Sequence, residues 1–103
     1  MVMMGYGAGT DLEKIRKNTT FDALRHPGYP DDIAVLFVKP GVQSEQIWVR
    51  TSEIVDGKIA GHLLNQPNSD KFGVLLGDLI CIVPVRLDDG EVMAVAEFPW
   101  LYK

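Results

Sequence analysis

Cys81 and His62 are the residues of this 103-residue chain with the types best suited to covalent chemistry: a thiol nucleophile and an imidazole base, with Asp78 or Asn65 to orient the ring. The surroundings argue against it. Leu79, Ile80, Ile82 and Val83 flank Cys81, and an apolar strand favours the neutral, unreactive thiol. His26 and His62 are the only histidines. They have neither ligand spacing nor cysteine partners, so no metal site is expected. His62 is expected at the sheet surface and His26 at a helix end, where a positive charge is favoured. The paired carboxylates Asp31-Asp32 and Asp88-Asp89 read as turn residues bonding their own backbone, because neither stretch offers the alternating oxygen ligands of a calcium loop.

Gly5-Tyr6-Gly7-Ala8-Gly9-Thr10 has the look of a phosphate cradle. A dinucleotide fingerprint needs a strand immediately before it, and here only Met1 to Met4 precede; a P-loop needs Gly-Lys followed by Ser or Thr. Residues 1–9 are therefore expected to form a flexible tail, and no cofactor is expected. What remains is a set of aromatic and polar residues, Tyr29, Trp48, Arg50, Asn65, Trp100 and Tyr102. Trp, Tyr and Arg are the side chains most enriched at binding hot spots, so these six are the candidate binding surface.

The elements that must position them follow from patterning. Thr10 and Glu13 fit a capping box opening a helix from Asp11 to about Lys17, with Leu12 and Ile15 facing inward and Lys14, Arg16 and Lys17 on a solvated face. Asn18-Thr19-Thr20 interrupts it, and Thr20 is expected to cap a second turn, Phe21 to Arg25, ended by His26-Pro27-Gly28-Tyr29-Pro30. From Ile33 onward short apolar runs alternate with turn residues, as in an antiparallel sheet. The expected strands are Ile33 to Lys39, a hairpin of Gln46–Val55 and Lys58–Leu64 about Asp56-Gly57, and a second hairpin of Leu79–Leu87 and Glu91–Phe98. With Val55 opposite Lys58, an unbroken register pairs Ser52 with Gly61, Arg50 with Leu63, Trp48 with Asn65 and Thr51 with His62. A three-residue loop ending in a left-handed Gly90 keeps Asp88 from facing Glu91. Pro84 belongs at an edge or bulge. Lys71 to Leu76 is an apolar segment without a clear assignment, and the aromatic tail from Pro99 is expected to pack back on the sheet. The fold class is α+β: short N-terminal helices, then a strongly curled five-stranded antiparallel sheet or small barrel, forming a single domain over residues 1–103.

Composition limits the partners. The chain is 47% hydrophobic and 23% charged, which suits an ordinary globular domain rather than a disordered one. Ten Lys and Arg against fourteen Asp and Glu give a net charge of -4, which repels phosphate backbones and makes nucleic acid an unlikely partner. One cysteine allows no internal disulfide and fits a reducing compartment. Met1 to Met4 is too short for a signal peptide, and no run approaches the length of a membrane span. A cytoplasmic protein without membrane association is expected.

Glu45 with Trp48-Val49-Arg50, then Ile54-Val55-Asp56-Gly57, Gly61-His62-Leu63-Leu64-Asn65-Gln66-Pro67 and Gly77-Asp78-Leu79 together resemble the bacterial domain-of-unknown-function family numbered 2314. The likeness covers about a third of the chain, residues 45–79. Family members tend to close soon after the last strand with an acidic and aromatic segment, whereas here the strand Glu91 to Phe98 comes first. The resemblance implies a curled antiparallel sheet and no catalytic residues, and some domains of this kind look like partners in toxin and immunity systems. The expectation is a non-enzymatic domain that binds another protein or itself, through an exposed strand edge or the aromatic set. The alternative is a small-barrel module for single-stranded nucleic acid or a small ligand.

Overall fold

The structure, a computed structural model, describes residues 6–102. Five strands follow one helix: α1 (Tyr6–Lys17), β1 (Asp32–Lys39), β2 (Val42–Val55), β3 (Lys58–Leu63), β4 (Leu79–Arg86) and β5 (Val92–Ala96). Short 3-10 turns sit at Asp22–Leu24, Asp70–Phe72 and Pro99–Tyr102. Each strand runs antiparallel to the next, and the sheet closes into a barrel by a parallel contact of Leu36 in β1 with Val95 in β5. That direction follows from the strand number, since the first and fifth strands of an up-and-down meander point the same way. Of the two forms left open by the sequence, the small closed barrel is the one found.

Two turns behave as their residues require. Asp56 (φ 51) and Gly57 (φ 79) both occupy the left-handed region between β2 and β3, as a two-residue hairpin turn matched to strand twist demands. Gly90 has φ 90 and closes the β4–β5 loop, where the Leu87 N–H donates to the Glu91 carbonyl at 2.7 Å. Pro84 pairs with Ala94 of β5 but lies beyond the last β3–β4 pair, Ile59 with Ile82. No neighbouring strand on that side requires its missing N–H.

The register of the first hairpin departs from the unbroken pairing. Ile54 faces Ile59 as expected, but the ladder slips between Thr51 and Glu53, so that Thr51 pairs with Gly61, Arg50 with His62 and Val49 with Leu63. Ser52 is the extra residue of a β-bulge. A one-residue slip exchanges the faces of everything beyond it: Val49, Thr51 and Leu63 turn into the core, while Arg50 and His62 turn out together. The bulge therefore explains the mixed polar and apolar pattern of this hairpin.

Ile33, Val35 and Phe37 of β1 meet Ile47, Val49, Leu63, Ile80 and Ile82 inside the barrel, each such side chain contributing about 1.5–3 kcal/mol on burial. Ile15 of α1 and Phe21 join this core. Phe37 meets Phe72 and Phe98 edge-on, at 5.5 and 5.4 Å between ring centroids. The unassigned segment around Lys71 thus supplies a buried aromatic from a 3-10 turn.

Several local expectations need correction. α1 begins at Tyr6, so 6–9 are helical where a flexible tail is expected, and 1–5 lie outside the described residues. Docking outweighs the poor helix propensity of Gly7 and Gly9: Ile15 is fully buried, and the Asp11 carboxylate accepts the Ile54 N–H at 3.0 Å. Thr10, Asp11 and Glu13 consequently lie within the helix and not at its cap. No side chain caps the turn at Asp22–Leu24, so Thr20 is not its cap. β2 starts at Val42 rather than Gln46, because Pro40 and Gly41 (φ 78) turn the chain directly back along β1.

Candidate functional site

The β1–β2 pairing and the slipped β2–β3 register together assemble the outer face of β1, β2 and β3. Asp32 lies opposite Arg50, Arg50 opposite His62, and Ala34 opposite Trp48. Arg50 Nε and Nη2 donate to the two oxygens of Asp32 at 2.8 and 3.1 Å. Asp32 is buried while the Arg50 side chain is 55% exposed, so a planar fork of donors is held by its inner edge and presented to solvent. The neighbouring carboxylate, Asp31, takes the same kind of fork from Arg16, at 3.0 and 2.8 Å. Hydrogen bonding from Arg16 holds the Asp31 carboxyl below its ordinary value, against a smaller opposing effect of burial. Asp31 and Asp32 are thus ion-pair partners of two arginines, not the self-bonded turn residues expected from their adjacency.

Trp48 extends this face. Its N–H donates to Asn65 Oδ1 at 2.8 Å and its carbonyl accepts the Leu64 N–H at 2.8 Å, so the Asn65 side chain continues the ladder where β3 ends. The His26 ring stands edge-on to Trp48 at 5.3 Å and tilted against Tyr29 at 5.3 Å. His26 is no helix cap: its Nδ1 accepts the Gly28 N–H at 3.0 Å, which shapes the loop carrying Tyr29. Tyr29 is 61% exposed. Two shallow clefts flank Arg50. One, of about 350 Å3, is lined by Gly28, Tyr29, Pro30, Asp31, Asp32 and Arg50. The other, of about 440 Å3, is lined by Leu12, Asp31, Arg50, Thr51, Ser52, His62 and Leu64.

Exposed leucines continue the surface past His62. Leu64 and Leu79 flank it, and Leu75 and Leu76 stand on the loop before β4. That loop is firmly held: Gln66 Nε2 donates to the Val74 carbonyl at 3.0 Å while its Oε1 accepts the Leu76 N–H at 2.7 Å. His62 Nδ1 contacts the Gly77 carbonyl at 2.9 Å.

Of the six candidate residues, the fold brings Tyr29, Trp48, Arg50 and Asn65 together. Trp100 belongs elsewhere. Its ring stacks on Phe98 at 4.5 Å, its indole N–H donates to the Val38 carbonyl at 2.6 Å, and Lys39 Nζ lies 4.4 Å above it. That is the packed-back tail, doing structural work at the edge of the core. The Tyr102 side chain lies outside the described residues. Asp32, His26, His62 and Leu64 are neighbours that residue type does not announce: His62 follows from the β2–β3 register once Ser52 is given to a bulge, Asp32 from the β1–β2 pairing, and His26 from ring contacts that no sequence signal carries.

A larger cleft, about 570 Å3, follows Gly41–Gln46 and is bounded by Asn68, Ser69 and Lys71. Its one carboxylate, Glu45, is already committed to the Asn68 and Ser69 N–H groups at 2.6 and 2.8 Å. Cys81 is half-buried opposite Ala60, and burial, assisted by Glu97, raises its thiol above the ordinary value. His62 Nδ1 is engaged with the Gly77 carbonyl, and among the described residues no hydrogen bond joins the His62 ring to Cys81. Among the described residues no three His, Cys, Asp or Glu side chains group to hold a metal ion, and no helix is long and apolar enough to cross a membrane.

Comparison with known proteins returns no matching family model, no matching curated protein and no matching solved structure.

Proposed function

We propose that this chain is a non-enzymatic barrel domain that binds another protein, or a second copy of itself, through the outer face built by Tyr29, Trp48, Arg50 and Asn65. The observation that carries this reading is the row Tyr29–His26–Trp48, in which the His26 ring contacts both aromatics, beside an arginine whose fork is fixed by Asp32. Aromatic and arginine side chains already locked in place lose little conformational freedom on contact, and the exposed leucines beyond His62 add apolar area at the rim. Within the same proposal stand a cytoplasmic setting in a bacterial cell and the resemblance of residues 45–79 to family 2314, which points to partnership of the toxin and immunity kind.

The test is self-association by light scattering together with partner capture, for the wild type and for Tyr29→Ala with Trp48→Ala. Association or capture lost in the variant supports the reading. A monomer that retrieves nothing, or a variant that behaves as wild type, sinks it. The closed barrel with aromatics on its wall favours a second reading, in which single-stranded nucleic acid or a small ligand stacks on Trp48. The net charge of -4 opposes the nucleic-acid form, and failure to bind short oligonucleotides at low salt would end it.

A further inference from the structure

The cleft between α1 and the β2–β3 ladder, about 440 Å3, holds groups that the aromatic row does not use. Arg50 spends Nε and one hydrogen of Nη2 on Asp32; its Nη1 makes no hydrogen bond among the described residues. Across the strand, His62 is oriented by its Nδ1 contact with the Gly77 carbonyl. A carbonyl only accepts, so Nδ1 carries the proton, and in the tautomer this contact selects Nε2 is the acceptor. Leu12 and Leu64 also line the cleft and give it apolar walls. Asp31 also borders the cleft with both oxygens held by Arg16, and Arg50 already has Asp32 as its ion-pair partner, so what the cleft offers a carboxylate is the N–H groups of Arg50 that Asp32 leaves open.

The open edge of a guanidinium, an acceptor one strand away and apolar walls make a specific combination. We propose that this cleft binds the C-terminal residue of a partner peptide whose last side chain is aliphatic. The carboxylate pairs with Arg50, the N–H of the same residue donates to His62 Nε2, and its side chain lies between Leu12 and Leu64. This rests on the protein-binding reading above and names a chemistry for part of the contact. A carboxylate without the N–H leaves the acceptor of His62 unsatisfied. An amidated terminus loses the charge that Arg50 recognises.

The experiment is titration of isotope-labelled protein with N-acetyl-Gly-Leu, with its C-terminal amide, and with N-acetyl-Gly-Lys, following backbone amide signals. The free acid should shift the signals of Arg50, Ser52, His62 and Leu64, and the amide and the lysine peptide should bind roughly tenfold or more weakly. Leu64→Asp, at an exposed position, should abolish the shifts while leaving the rest of the spectrum in place. Equal binding of acid and amide, shifts that survive Leu64→Asp, or no shift with the free acid would overturn the proposal. Association through the Tyr29–Trp48 face without a response to the free acid overturns this site alone. A response to the free acid in a chain whose Tyr29→Ala, Trp48→Ala variant keeps every partner overturns the outer-face reading alone.

Discussion

Gly61 lies so close to Arg50 that a Cβ built on the glycine would stand 2.3 Å from the Arg50 carbonyl oxygen and 2.7 Å from its carbon. Both atoms are backbone, so neither can swing aside. The bulge at Ser52 brings β2 this near to β3, and the same bulge turns Arg50 outward beside His62. Gly61→Ala should therefore destabilise the protein by about 2–4 kcal/mol, read as a lower urea midpoint. A loss below about 0.5 kcal/mol would mean that the two strands are not so closely apposed.

The hairpin shows how far the sequence is legible. Asp56-Gly57 announces its turn because few residue pairs tolerate two positive φ angles, and Ile54 with Ile59 follows directly. Ser52 announces nothing, since a bulge is settled by packing on both sides of the strand: Thr51 buried inward, Ile54 bonded to Asp11 of α1. Every β2–β3 pair past it lies one residue away from the unbroken register. The binding face suffered accordingly. Tyr29, Trp48, Arg50 and Asn65 could be chosen by residue type, but Asp32 as the partner of Arg50 depends on a pairing across 18 positions of sequence. The same residue-type logic picks out Trp100, which belongs to the core edge, because type alone does not say which aromatics find a buried partner.

Trp100 and Trp48 should accordingly part company under mutation. Trp100→Ala removes the stack on Phe98, the bond to Val38 and the contact of Lys39, and is expected to cost about 2–4 kcal/mol. Its partner binding, measured below the lowered melting temperature, should persist. A Trp100→Ala protein of normal stability with binding abolished would reverse the assignment.

Acid should weaken the link between α1 and the loop before β1. The Asp31 carboxyl titrates below its unfolded value because Arg16 hydrogen-bonds it, so its contribution is present above the unfolded carboxylate pKa, about 3.9. It is lost as the pH falls through the lower folded value. Asp31→Asn should flatten the fall in stability below about pH 4 and leave its shape near neutrality unchanged. Since Arg16 is exposed, the difference should shrink in high salt. Parallel acid limbs for the two proteins would contradict the pairing.

Cys81 should be a poor nucleophile. Burial and then Glu97 raise its thiol, which leaves little thiolate at pH 7. Iodoacetamide should modify it more slowly in the folded protein than in urea, with the rate rising only at alkaline pH. Fast modification at neutral pH would reopen a thiol-based activity.

The most direct measurement of the binding face is site-specific photo-crosslinking in living source cells, with benzoylphenylalanine in place of Tyr29 and, separately, of Val85, which is exposed on the β4–β5 hairpin. A discrete adduct from position 29, absent at position 85 and lost on adding Trp48→Ala, is the predicted result. Adducts from position 85 with none from position 29 would contradict the outer face of β1, β2 and β3 as the surface through which this protein acts.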